Sequence, residues 1–147
     1  MKRIIISDTH IGSKFFKGKE LLNFLKNEYY DQLILAGDII DFIKVPEFDK
    51  ISLELMSAID FSKEIIYIVG NHDVPLKGFV GQKAFGLTFV DKYEFEENNV
   101  KFRIEHGDKY DESMLVHHNL FMNFLSVFQK CIEHFFDINL SKAYTNY

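Results

Sequence analysis

A chain of 147 residues has room for one domain, which buries roughly 70% of the surface its unfolded form exposes. The net charge of -5, from 22 acidic and 17 basic residues, argues against a nucleic-acid backbone as the main ligand, although bound metal can invert the local potential toward a phosphate group. The lone Cys131 excludes an internal disulfide, and the three Ile of "MKRIIISDTH" are too few for a secretory signal. No run of about 18 apolar residues occurs to span a membrane, so a cytoplasmic location is expected.

The first element is the apolar run "RIIIS" from Arg3 to Ser7, a buried strand that ends in the loop "DTHIGS". In "KGKELLNFLKNE", Leu21, Leu22 and Leu25 recur at helical spacing, with Lys and Glu on the opposite face. The order then repeats. "QLILAGD" reads as a strand, "KISLELMSAIDF" as a helix with Leu53, Met56 and Phe61 inward, and "EIIYIVGNHD" as a third strand. Near-continuous apolar strands alternating with amphipathic helices predict a sheet covered on both faces and parallel β-α-β connections. "LTFVDKYEFEENNVKFRIEHGD" alternates instead, and its "ENN" turn predicts an antiparallel hairpin, so the sheet is expected to be mixed. From Glu112 to Phe136 the spacing predicts a helical segment with a broad apolar face that includes Phe121, Phe124, Phe128 and Phe135.

The unusual polar residues cluster at predicted strand ends. Asp8 and His10 follow the first strand, Asp38 the second, Asn71 and His72 the third, and His106 the hairpin. In open α/β sheets the ligand crevice lies outside the carboxyl ends of the strands, so these residues are expected to converge. A carboxylate such as Asp38 at the end of an apolar strand must be paired, protonated or bound to a metal, because burying it alone costs several kcal/mol. Carboxylate, imidazole and amide donors together suit Mn, Fe or Zn, and a bridging carboxylate at Asp38 would serve two such ions. Taken singly, "DTH" is ordinary loop chemistry and "GD" ordinary turn chemistry, with "GNH" a turn requiring positive φ. Their succession at strand ends favours a site.

"DTH" at 8–10, "GDIID" at 37–41, "GNHD" at 70–73 and "HGD" at 106–108 resemble the ordered signature of the calcineurin-like metallophosphoesterases, over roughly three quarters of the chain. Within that family "HGDKYD" is most similar to the branch containing UDP-2,3-diacylglucosamine hydrolases. The resemblance implies an α/β fold of mixed β-sheet layers flanked by helices. It implies two divalent metal ions, one held by Asp8, His10 and Asp38 and the other by Asp38, Asn71 and His106, with manganese the first expectation and iron or zinc the alternatives. His72 would face the substrate phosphate as a catalytic residue together with Asp73, while Asp41, Asp73 and Asp108 would orient the ligands or His72. The implied reaction is hydrolysis of a phosphomonoester, phosphodiester or nucleotide-sugar pyrophosphate by a metal-bridging hydroxide. Helix capping is an equal reading of Asp41 and Asp73.

The family pattern closes with "GHxH", which does not occur here; His117, His118 and His134 all fall in the predicted helix. The expectation is therefore one domain over residues 1–147 that stops before its final strands, with residues 112–136 as a lid or an interface. Three protein ligands per ion remain, with water completing each sphere at lower affinity. The Phe-rich helix is expected to pack, to pair two chains, or to touch the acyl part of a lipid-precursor substrate or a membrane surface. A catalytically weak homologue with a binding role is the competing expectation.

Overall fold

The computed structural model describes residues 1–43, 46 and 48–110. The chain divides into two compact units, Met1–His106 and Gly107–Tyr147. Of the second, the described residues form the 3-10 turn Gly107–Tyr110. The predicted helix over 112–136, with His117, His118, Cys131 and His134, lies outside the described residues.

In the first unit, β1 (Arg3–Ile6), α1 (Gly18–Asn27), β2 (Gln32–Ala36), α2 (Lys50–Ala58) and β3 (Glu64–Ile68) alternate as expected. They are followed by the 3-10 turn Val74–Phe79, then β4 (Lys83–Ala84), β5 (Leu87–Val90), β6 (Lys92–Glu97) and β7 (Val100–Glu105). The main sheet has the order β1-β2-β3-β5-β4, parallel except for β4, and β6 and β7 form a separate antiparallel pair. All five residues of β2 and the last four of β3 are buried, as central parallel strands require when both faces are covered. On one face Leu33, Leu35, Ile65, Tyr67 and Phe89 pack with Leu22, Leu25 and Leu55 of the helices. On the other, Ile34, Ala36, Ile66 and Ile68 meet Tyr93, Phe95 and Ile104 of the hairpin. Each such side chain contributes roughly 1.5–3 kcal/mol when fully buried.

Two expectations are corrected. Leu87–Val90 is not part of the hairpin; its backbone pairs parallel with β3, Ile66 opposite Thr88. The hairpin proper turns at Asn98 and Asn99, whose φ values of 53° and 59° are the left-handed pair that a two-residue turn demands and that Asn tolerates. The inward face of α2 is also different: Ser52 and Leu55 are buried, whereas Leu53, Met56 and Phe61 are exposed. The cause is the N-cap. The Asp49 carboxylate accepts from both the backbone N–H and the hydroxyl of Ser52, each at 2.7 Å. With both its polar groups satisfied, Ser52 can be buried, and it sets the phase of the helix.

The strands' amino ends carry a polar knot. Gln32, fully buried, accepts from Arg3 Nε at 2.8 Å and donates to Glu64 at 2.6 Å and to the Tyr93 hydroxyl at 2.7 Å. It ties both layers of the sheet at the end away from the motifs, leaving the carboxyl ends for the site.

Candidate metal centre

The loops after β1 and β2 run side by side beyond the strands. Asp8 N–H donates to Gly37 O at 3.1 Å, His10 N–H to Asp38 O at 3.0 Å and Ile11 N–H to Ile39 O at 2.8 Å. The Thr9 hydroxyl adds a bond to Ile39 O at 2.8 Å. This cross-pairing holds Asp8, His10 and Asp38 with φ of 54°, 47° and 54°, a left-handed conformation that is uncommon outside glycine and that Asp and His adopt more readily than most residues. Outside the Asn98–Asn99 hairpin turn and Phe85, the described non-glycine residues with this backbone are these three candidate ligands, and such strain clusters at functional sites. The positive φ expected within "GNH" is instead found here, at "DTH" and "GD".

Asp38 is the centre of the arrangement, only 4% exposed. One carboxylate oxygen, Oδ1, accepts the backbone N–H of His72 at 2.8 Å. The other, Oδ2, lies 3.4 Å from His106 Nε2, 3.8 Å from His72 Nε2 and 3.9 Å from His10 Nε2. Two glycines make this packing possible. A Cβ at Gly37 would collide with the His106 imidazole, and one at Gly70 would collide with the Asp38 carboxylate and its backbone nitrogen.

The hydrogen bonds also assign the ring nitrogens. His106 Nδ1 is 3.3 Å from Ala36 O, and a carbonyl can only accept, so Nδ1 carries the proton and Nε2 presents a lone pair. That lone pair faces Asn71 Oδ1 at 3.0 Å as well as Asp38 Oδ2. A cation among them would satisfy lone pairs at such distances: two ligands at about 2.1 Å from one ion and at a right angle lie about 3 Å apart. A backbone carbonyl behind the imidazole is, moreover, the usual support of a metal-binding histidine. The residues present therefore fit divalent metal. Asp8, His10 and Asp38 offer ligand atoms within 4.8 Å of one another, and His106 Nε2 brings Asn71 Oδ1, at 3.0 Å, and Asp38 Oδ2, at 3.4 Å, together.

His72 stands beside these groups. Its Nδ1 donates to Asp41 Oδ1 at 3.0 Å, which leaves Nε2 toward Asp38. His10 and His72 meet edge to face with ring centroids 4.5 Å apart. Asp41 Oδ1 also accepts the Ile43 N–H at 3.3 Å.

Asp73 requires a correction. Of its two expected roles, catalytic partner of His72 and orienter of the ligands, the contacts match the second: Asp73 is fully buried, and its carboxylate is spent on backbone N–H groups, that of Asp38 included, and on Tyr67. Oδ2 accepts Asp38 N–H at 2.8 Å and Gly70 N–H at 3.1 Å; Oδ1 accepts Ile40 N–H at 3.3 Å and the Tyr67 hydroxyl at 2.8 Å. It is no cap either, since its side chain makes no capping bond to the 3-10 turn that follows. It fastens the ends of β2 and β3 together beneath Asp38. Burial, and then the neighbouring Asp73 carboxylate, push the Tyr67 phenol far above its ordinary value. Tyr67 escaped the sequence reading; its signal was a hydroxyl-bearing aromatic in the otherwise aliphatic "EIIYIV". Asp108 falls in the second unit.

The fold and the strand-end Asp, His and Asn side chains are those of a phosphoesterase type of site that carries candidate metal-binding groups. A model of the calcineurin-like phosphoesterase superfamily domain matches residues 1–134, and the chain belongs to that superfamily. Compared with curated proteins one by one, the sequence matches none.

Proposed function

We propose that the protein hydrolyses a small phosphoester with two divalent ions held by Asp8, His10 and Asp38 and by Asp38, Asn71 and His106. The observation that carries this reading is Asp38 Oδ2, a buried carboxylate oxygen with three histidine nitrogens within 3.9 Å, one of which also meets Asn71 Oδ1 at 3.0 Å. When bound, the ions neutralise phosphoryl oxygens and lower the pKa of a water molecule. The chain supplies the rest. Asp38 is held rigid by its backbone and by His72 N–H, so the ligand frame needs no rearrangement on binding. The His72 imidazole, steered by Asp41, stabilises charge on the substrate oxygens or hands a proton to the leaving oxygen from Nε2.

Manganese is the metal we favour, because two of the three donors at each position are oxygen, with iron or zinc as alternatives. For substrate, "HGDKYD" supports a nucleotide-sugar lipid precursor of the diacylglucosamine type. The Phe-rich segment 112–136 then serves as cover for acyl chains or as a contact with a membrane surface or a second chain, in a cytoplasmic protein. Among the described residues, no helix is long and apolar enough to cross a membrane.

The test is metal content by elemental analysis, with hydrolysis of an activated aryl phosphodiester in manganese. About two ions per chain, lost in Asp38→Ala, with a His72→Ala rate lower by about 10²–10⁴-fold, is the expected result. No hydrolysis by the manganese-loaded protein would leave the binding-role alternative standing.

A further inference from the structure

Besides the two positions that share Asp38, the first unit holds a second grouping. His10, Asp41 and His72 each offer a ligand atom, and these atoms all lie within 4.8 Å of one another. The group is preassembled: His72 Nδ1 and Asp41 Oδ1 are 3.0 Å apart, and the His10 ring stands edge-on to His72. All three side chains are partly open to solvent, at 30% for His10, 22% for His72 and 13% for Asp41, so an ion can enter and keep water in its remaining position.

We propose that His10, Asp41 and His72 form a third cation position, selective for zinc, that competes with the other two. Its donor set explains the selectivity. The positions built on Asp38 each present two oxygens and one nitrogen, whereas this one presents two imidazoles and one carboxylate. Two imidazoles and a carboxylate, with a fourth place open, are a well-established zinc set, and imidazole donors favour zinc over manganese. Its location explains the competition. His10 cannot serve this position and the Asp8–His10–Asp38 position at once, and an ion between Asp41 and His72 replaces the hydrogen bond that steers His72. Excess zinc therefore acts as a brake on a manganese-loaded enzyme. That consequence rests on the function proposed above; the site itself does not.

Equilibrium dialysis of metal-free Asp38→Asn protein tests the site without any activity. Asn keeps the shape of Asp and tolerates the left-handed backbone, while both positions built on Asp38 lose their shared carboxylate. The expected result is one zinc and no manganese bound per chain at equal free concentrations, with zinc affinity at least tenfold weaker in D38N/D41N. Folded D38N protein, judged by circular dichroism, that binds no zinc would overturn the proposal, as would D38N/D41N binding zinc as tightly as D38N. Should D38N not fold, D8N/N71A removes one ligand from each of the other positions at less buried residues, and D41N added to it is read in the same way. Hydrolysis by manganese-loaded wild type reports separately on the proposed function.

Discussion

Replacing Asp73 probes how the fold holds its site. The carboxylate takes four donors: the buried N–H groups of Asp38 and Gly70, the buried Tyr67 hydroxyl, and the half-buried N–H of Ile40. In Asp73→Ala all four lose their acceptor. At about 1–3 kcal/mol for each of the three buried groups left unsatisfied, the sum is about 3–9 kcal/mol. The vacated space admits water that satisfies part of it, so about 4 kcal/mol is expected, a large share of a total stability of about 5–15 kcal/mol. Asp73→Asn is the graded companion. Its amide oxygen can occupy the Oδ2 place and keep Asp38 and Gly70, while its NH2 faces Ile40 N–H and a Tyr67 hydroxyl that can rotate to accept. One clash remains, costing about 1–3 kcal/mol. Urea denaturation of both variants, followed by circular dichroism, is the assay. A loss in Asp73→Ala within about 0.5 kcal/mol, the range of an inert surface substitution, would refute the reasoning, and so would Asp73→Asn being the worse of the two.

Two pH-linked outcomes follow from the same geometry. The Tyr67 phenol is held above its ordinary 10.0 by burial and by Asp73, so its contribution is present below pH 10.0 and is lost as the unfolded chain ionises at higher pH. Tyr67→Phe should cost about 1.5–3 kcal/mol near neutrality, and its deficit against wild type should narrow above pH 10.0 in thermal melts. Hydrogen bonds from Ser52 hold the exposed Asp49 carboxylate below its ordinary 3.8, so its contribution is present above that value and fades as pH falls through the lower folded value. Asp49→Ala should therefore lower Tm at neutral pH, and the gap should close in acid; a gap that widens in acid would contradict the cap.

The parts of the molecule that were legible from sequence are those governed by local pattern. β2 and β3 stood out because burial on both faces leaves nearly unbroken aliphatic runs, and the donors stood out because each ends such a run. The phase of α2 was not legible, because two apolar stripes compete: Leu53 and Met56 on one side, Leu55 and Ala58 on the other. A polar residue decides between them, Ser52, buried through its bonds to Asp49. Leu87–Val90 was assigned to its sequence neighbour, whereas its partner is β3, far back in the chain. Asp73 was misplaced for a related reason. Its adjacency to His72 suggests shared chemistry, but two of the four donors that claim its carboxylate come from beyond the end of β2, which spacing alone does not reveal.

The backbone also bears on what metal does for stability. Asp8, His10 and Asp38 all sit at positive φ, each costing roughly 1–2 kcal/mol for a non-glycine residue. Cross-strand bonds from Asp8 N–H to Gly37 and from His10 N–H to Asp38 hold two of them, and Asp73 holds the third. None of these bonds requires a cation, so the ligand frame is set by the fold and the metal-free chain should retain its secondary structure. Metal then acts by binding the folded state alone: at a free concentration 100 times Kd the gain is about 2.7 kcal/mol. Manganese should raise Tm in a concentration-dependent way that chelator reverses, with the far-ultraviolet circular dichroism unchanged. Loss of the secondary-structure signal on chelation would mean that metal builds the frame instead of filling it, and the role given to Asp73 would then pass to the ions.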